Sequence, residues 1–121
     1  MSETYISNIS NQLTKIMEND SHIKTIACFR IDGTPIFLNT IKLIDTDEKF
    51  SKRLAALCRT MMWAGRDLIR YGDDGILRIV SFNGVDSAFA ISFNDFFVLL
   101  VETTLTGNAK GIASQITATW E

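Results

Sequence analysis

Histidine occurs once in 121 residues, proline once and cysteine twice. Nucleophilic, general acid–base and zinc chemistry all draw on residue types that are scarce here. The single histidine, His22, sits in a polar stretch before the first β-rich run and reads as a solvated loop residue. Cys28 and Cys58 lie in the apolar contexts Ile-Ala-Cys-Phe and Ala-Leu-Cys-Arg, where a thiol serves as a small buried hydrophobe. A reactive Cys58 is the one enzymatic reading left open. The phosphate-cradling patterns G-x-G-x-x-G and G-x-x-x-x-G-K-[ST] are both absent. Asp45, Asp47 and Glu48 suit the first turn of a helix, where the helix dipole favours acids, better than a Mg²⁺ site. No catalytic residue, cofactor site or metal site is therefore expected.

Lysine and arginine form no run, and the formal charge is −2 with a pI near 5.3. Nothing here matches a phosphate backbone, so nucleic acid is not an expected partner. No window reaches the ~18 apolar residues of a membrane span, and Met1-Ser2-Glu3-Thr4-Tyr5 lacks the basic start of a secretion signal. The expected compartment is cytoplasmic.

What is present is an ordinary globular composition, 46% hydrophobic and 21% charged, enough to close one core. The expectation is a single domain over residues 1–121. Tyr5, Ile6, Ile9, Leu13, Ile16 and Met17 recur at helical spacing and predict a helix over 3–18, with Ser2 as its cap. Two β-rich runs, 23–31 and 35–38, flank Asp32-Gly33-Thr34 and predict a hairpin. Asp45 and Glu48 have capping-box spacing and open a long helix over 47–71, closed by Gly72. Phe50, Leu54, Leu57, Met61, Ala64 and Leu68 form its expected core stripe. Runs 76–82, 85–93 and 96–103, separated by Asn83-Gly84 and Asn94-Asp95, predict a three-stranded meander. Phe96 to Val101 is apolar on both faces, which places that strand mid-sheet. Leu105, Ala109, Ile112, Ala113, Ile116 and Trp120 predict a closing helix capped by Thr106. Gly111 is a weak point in it unless it permits close packing. Phe29, Phe37, Phe82, Phe89 and Phe97 are expected to fill the core.

With no chemistry to place, the surface carries the functional reading. At ~100° per residue, Ala56, Arg59, Trp63, Arg66 and Arg70 fall opposite the expected core stripe of the long helix. Tryptophan among arginines is a composition enriched at protein interfaces. The strand beginning at Ile76 opens the meander, so one of its edges, along Ile76, Leu77, Arg78, Ile79, Val80 and Ser81, is expected to lack a partner within the monomer.

The order α-β-β-α-β-β-β-α, with Ile26-Ala27-Cys28-Phe29-Arg30-Ile31-Asp32-Gly33-Thr34-Pro35-Ile36 as strand, Asp-Gly turn and strand, resembles the roadblock family. That family comprises dynein light-chain type domains, scaffold subunits and bacterial regulators of Ras-like GTPases. The resemblance implies an α+β fold of the α/β class, with a five-stranded antiparallel sheet carrying one helix on one face and two on the other. It also implies dimers in which the third strand pairs with its copy and the second helices pack side by side. The implied role is a non-catalytic adaptor or scaffold for a small Ras-like GTPase or a motor complex, as a homodimer or with another roadblock subunit. The family's acidic residues are scarce on the outer face of this second helix, which leaves pairing with a sister subunit open. A ligand-sensing domain with a small-molecule pocket is the alternative.

Overall fold

The computed structural model describes residues 3–42, 44–72 and 78–120. The elements run α1 (Glu3–Asn19), β1 (Ile23–Arg30), β2 (Pro35–Thr40), α2 (Glu48–Gly72), β3 (Ile79–Asn83), β4 (Ser87–Phe93), β5 (Phe97–Thr104) and α3 (Ala109–Ala118). The strands form one antiparallel sheet ordered β2-β1-β5-β4-β3. The doubly apolar run is thus the central strand, as its composition predicts. Its residues alternate between the two faces. Phe97, Leu99 and Val101 meet α1 and α3, whereas Val98 and Leu100 meet α2. Two helices therefore cover one face and one covers the other, and each fully buried large side chain contributes about 1.5–3 kcal/mol.

The β1–β2 turn is built by Asp32 and Gly33. Asp32 Oδ1 accepts from the Thr34 backbone N–H at 2.9 Å, and Gly33 adopts φ +97°, a conformation side chains oppose. A Cβ at Gly33 would also lie 3.0 Å from Arg59 Nη1. The β3–β4 turn is displaced from the expected Asn83-Gly84. Asn83 is still paired, with Ala88, and the Gly84 N–H donates to the Ser87 carbonyl at 2.7 Å, leaving Val85 and Asp86 at the apex. This register sets Phe82 opposite Phe89, where their rings stack at 5.0 Å, a cross-strand gain that a tighter turn would forfeit. In the β4–β5 turn, Asn94 Oδ1 accepts from the N–H groups of Phe96 and Phe97, both at 2.8 Å. Phe96 lies in this turn, 63% exposed, rather than in the strand.

Two of the three expected caps are resolved differently. Ser2 lies outside the described residues. Helix α2 is entered through Asp47, not Asp45: Asp47 Oδ1 accepts from Phe50 N–H at 2.8 Å. Helix α3 is capped by Asn108, not Thr106, because the intervening chain is held by Gly107 against Thr103 and His22. Asn108 sits at φ 57°, and its Oδ1 accepts from Gly111 N–H at 3.1 Å. A Cβ on Gly111 would strike Asn108 Nδ2, so the glycine makes room for the cap. Replacing Asn108 by alanine removes the cap and strains the left-handed backbone, costing about 2 kcal/mol, whereas glycine loses only the cap, a few tenths of a kcal/mol. Thermal denaturation of both variants should rank them in that order.

The largest departure from expectation concerns α2. Its buried row is Ser51, Ala55, Cys58 and Met62, one position away from the bulky stripe. The sheet face below already supplies Phe29, Ile91, Phe93, Val98 and Leu100. A helix row of three small side chains and one flexible methionine fits against that bulk at interior density, where a row of Phe and Leu would overpack. Leu57 and Leu68 are left 57% and 72% exposed, and Phe50, Leu54 and Met61 are half-buried. Of the five phenylalanines expected in the core, Phe29 and Phe97 are fully buried. Phe37 and Phe89 are half-buried, and Phe82 is exposed.

Candidate interaction surface

Two flanks of α2 remain beside its buried row. Ala56, Arg59, Trp63, Arg66 and Arg70 share one of them, as the helical projection expects. The Arg66 guanidinium lies between two rings, 5.3 Å from the centroid of Trp63 and 5.0 Å from that of Phe93. Trp63 stays 54% exposed on this support. Arg59 is committed elsewhere: its Nη1 donates to the Asp32 carbonyl at 2.8 Å and clamps the β1–β2 turn. Hydrogen bonds from the Thr34 backbone N–H and hydroxyl, with smaller help from the Arg30 and Arg59 charges, hold the Asp32 carboxyl below its ordinary value. The exposed members of the flank are Ala56, Trp63 and Arg70.

The opposite flank reads as core in the sequence and is divided in the fold: Leu57, Ala64 and Leu68 are exposed, whereas Leu54 and Met61 are half-buried against the core below. Phe50, Leu54, Leu57, Met61, Ala64 and Leu68 alternate by four and three residues, the spacing of a coiled-coil seam. That strict alternation, rather than apolar content, is the signal that could have marked it as a surface. On the same face of the sheet, Phe82 is 40% exposed against Phe89. Beyond them lies a buried charge. Glu102, 2% exposed, has Lys42 Nζ 2.6 Å from Oε2, and its Oε1 accepts from Thr25 Oγ1 at 2.9 Å. Burial alone would raise this carboxyl. Hydrogen bonds from Lys42, Ser87 and Thr25, together with the Lys42 charge, outweigh it and hold the group below its usual range.

Strand β3 borders this surface. Among the described residues it pairs only with β4, and Ile79–Asn83 contains no charge and no proline to discourage a further strand. The other edge, β2, begins with Pro35. Of the expected pairing residues, Ile76 and Leu77 lie outside the described residues. Arg78 precedes the described strand, which starts at Ile79. Ile79 packs with the α1 and α3 cluster, whereas Val80 lies opposite Ile91 on the α2 face.

Chemistry is not favoured at either cysteine. Both are buried, and burial pushes both thiols up to about 12, far from thiolate at neutral pH. Among the described residues, no three His, Cys, Asp or Glu side chains gather to hold a metal ion, and no helix is long and apolar enough to cross a membrane.

The same architecture occurs in solved structures. The Roadblock/LC7 domain from Streptomyces avermitilis superimposes with a TM-score of 0.69 at 19% identity, covering 87% of this chain and 85% of that one. The chain has the roadblock fold. MglB of Myxococcus xanthus gives a TM-score of 0.70 at 17% identity over 98% of this chain and 90% of its own. The gliding protein MglB from Thermus thermophilus gives 0.71 at 10% identity over 92% and 84%. No protein-family model and no curated protein sequence matches the chain. At these identities the shared feature is the backbone arrangement alone.

Proposed function

We propose that this chain acts as a non-catalytic dimeric adaptor whose α2 side docks a small Ras-like GTPase or a scaffold subunit. The observation that carries this is the uncovered apolar surface formed by the outer seam of α2 and Phe82 beside the bare β3 edge. Pairing β3 with the β3 of a second roadblock-fold chain extends the sheet and removes that edge. It also brings the partner's α2 over the same face, where burial of Leu57 and Leu68 is worth about 1.5–3 kcal/mol each per chain. The Trp63 flank stays outside this junction and is the partner-binding face, with Trp63 as anchor and Arg66 beneath it. The roadblock fold supports the GTPase reading, because the resemblance read from the sequence implies that role.

The test is a titration with a Ras-like GTPase from the same genome, loaded with GDP or with a non-hydrolysable GTP analogue. Trp63→Ala combined with Arg66→Glu should weaken binding at least a hundredfold, as loss of an interface anchor does. Its circular dichroism should match the parent. Binding that is unchanged in the double variant removes this flank from the proposal.

A further inference from the structure

The seam of α2, exposed at Leu57, Ala64 and Leu68 and half-buried at Phe50, Leu54 and Met61, contains information about which chain it pairs with. Resting on the dimer reading above, we infer that α2 selects an identical copy of this chain in antiparallel register, with Arg53 and Asp67 setting the choice. Positions 51, 58 and 65 on one side of the seam turn toward the chain's own sheet, with Ser51 and Cys58 buried and Gly65 half-buried. The other side presents Arg53, Thr60 and Asp67, all exposed. Among the described residues, neither Arg53 nor Asp67 makes an ion pair within the chain.

The spacing is self-complementary. Laid antiparallel about a two-fold axis beside Arg59, Phe50 meets Leu68 of the second copy, Leu54 meets its Ala64 and Leu57 meets its Met61. Every seam residue then has a partner, and bulky side chains largely face smaller or flexible ones. The same register sets Arg53 beside Asp67 of the second copy, twice by symmetry, with Thr60 near its own copy at the axis. Arg53 and Asp67 stand seven residues either side of Thr60, so one cation and one anion complement themselves when the helix is reversed. A parallel arrangement aligns the helix dipoles and leaves both charges without a partner. A different subunit would need the same two charges at the same spacing. The remaining arginines, Arg59, Arg66 and Arg70, belong to the opposite flank and do not disturb the match.

Charge exchange tests this, read by light scattering and native mass spectrometry on a dilution series. Arg53→Asp alone and Asp67→Arg alone each place like charges at both symmetric contacts, and each should weaken the dimer roughly tenfold. The double variant R53D/D67R should regain the parental dissociation constant. An equimolar mixture of the two single variants should form predominantly heterodimer, because each supplies the charge the other lacks. A wild-type dimer indifferent to the single exchanges, or a double variant that does not recover, overturns the register. A monomeric wild type overturns the dimer reading beneath it, and the two failures are separable in one experiment. Both positions are exposed, and recovery in the double variant guards against a folding defect.

Discussion

Val80→Asp is expected to yield a monomer at concentrations where the parent protein elutes as a dimer. The structure chooses this position over Ile79. Ile79 packs against the α1 and α3 cluster, so an acid there would chiefly test the core. Val80 is half-buried, opposite Ile91 on the face where a second copy's α2 would lie. A carboxylate at a strand junction that closes over it loses its water without gaining a cation, a penalty of several kcal/mol for each chain. Because the junction holds two such positions, the dimer constant should weaken at least a thousandfold. Val80→Thr keeps the β-branch and should remain dimeric. Size-exclusion with light scattering, with far-UV circular dichroism to verify the fold, decides the matter. A Val80→Asp protein that dimerises like the parent removes β3 from the junction.

Lys42→Ala is expected to produce the largest loss of monomer stability among single surface changes, and its size should depend on pH. Glu102 sits on the central strand at 2% exposure, and Lys42 is its one ion-pair partner among the described residues. Breaking a fully buried pair costs about 3–5 kcal/mol. Lys42 keeps 43% of its side chain in water, which reduces the expected loss to about 2 kcal/mol at pH 7. In the parent, the Glu102 pKa is depressed on folding. Its contribution is therefore present above the unfolded value and lost as pH falls through the lower folded value. Without Lys42, burial is opposed only by the Ser87 and Thr25 hydrogen bonds, so the charged carboxylate is held less well and the variant's deficit is largest at neutral pH. It should shrink as acid protonates the carboxyl in both proteins. Urea denaturation of both proteins at pH 7 and near pH 3.5 measures the gap at each. An equal gap at the two pH values would mean that Lys42 stabilises through packing on Phe89, whose ring centroid is 5.9 Å from Nζ, rather than through charge.

Much of the architecture is legible in local patterns. The Asp32-Gly33 hairpin follows from backbone chemistry that few residues satisfy, and the central place of β5 follows from its being apolar on both faces. The order of eight elements needs only periodicity and breakers. What local pattern misses lies where two solutions are nearly equal. On α2, both the Phe50 to Leu68 row and the Ser51 to Met62 row repeat at helical spacing, and the first is richer in large apolar residues. Hydropathy therefore assigns it to the core. Likewise Thr106 and Asn108 are both capable caps, and Asn83-Gly84 is a stronger turn sequence than Val85-Asp86.

Residue type and short-range spacing are enough to establish the order of the three helices and five strands that the structure describes, and which strand lies at the centre of the sheet. They are not enough to say which face of α2 is interior. That choice depends on the volume already contributed by Phe29, Phe93 and Leu100 from strands remote in the chain, and so it is made only when the elements pack. The same packing left Leu57 and Leu68 outside and committed Arg59 to the turn at Asp32, and so separated the flank proposed for a second copy from the flank proposed for another partner.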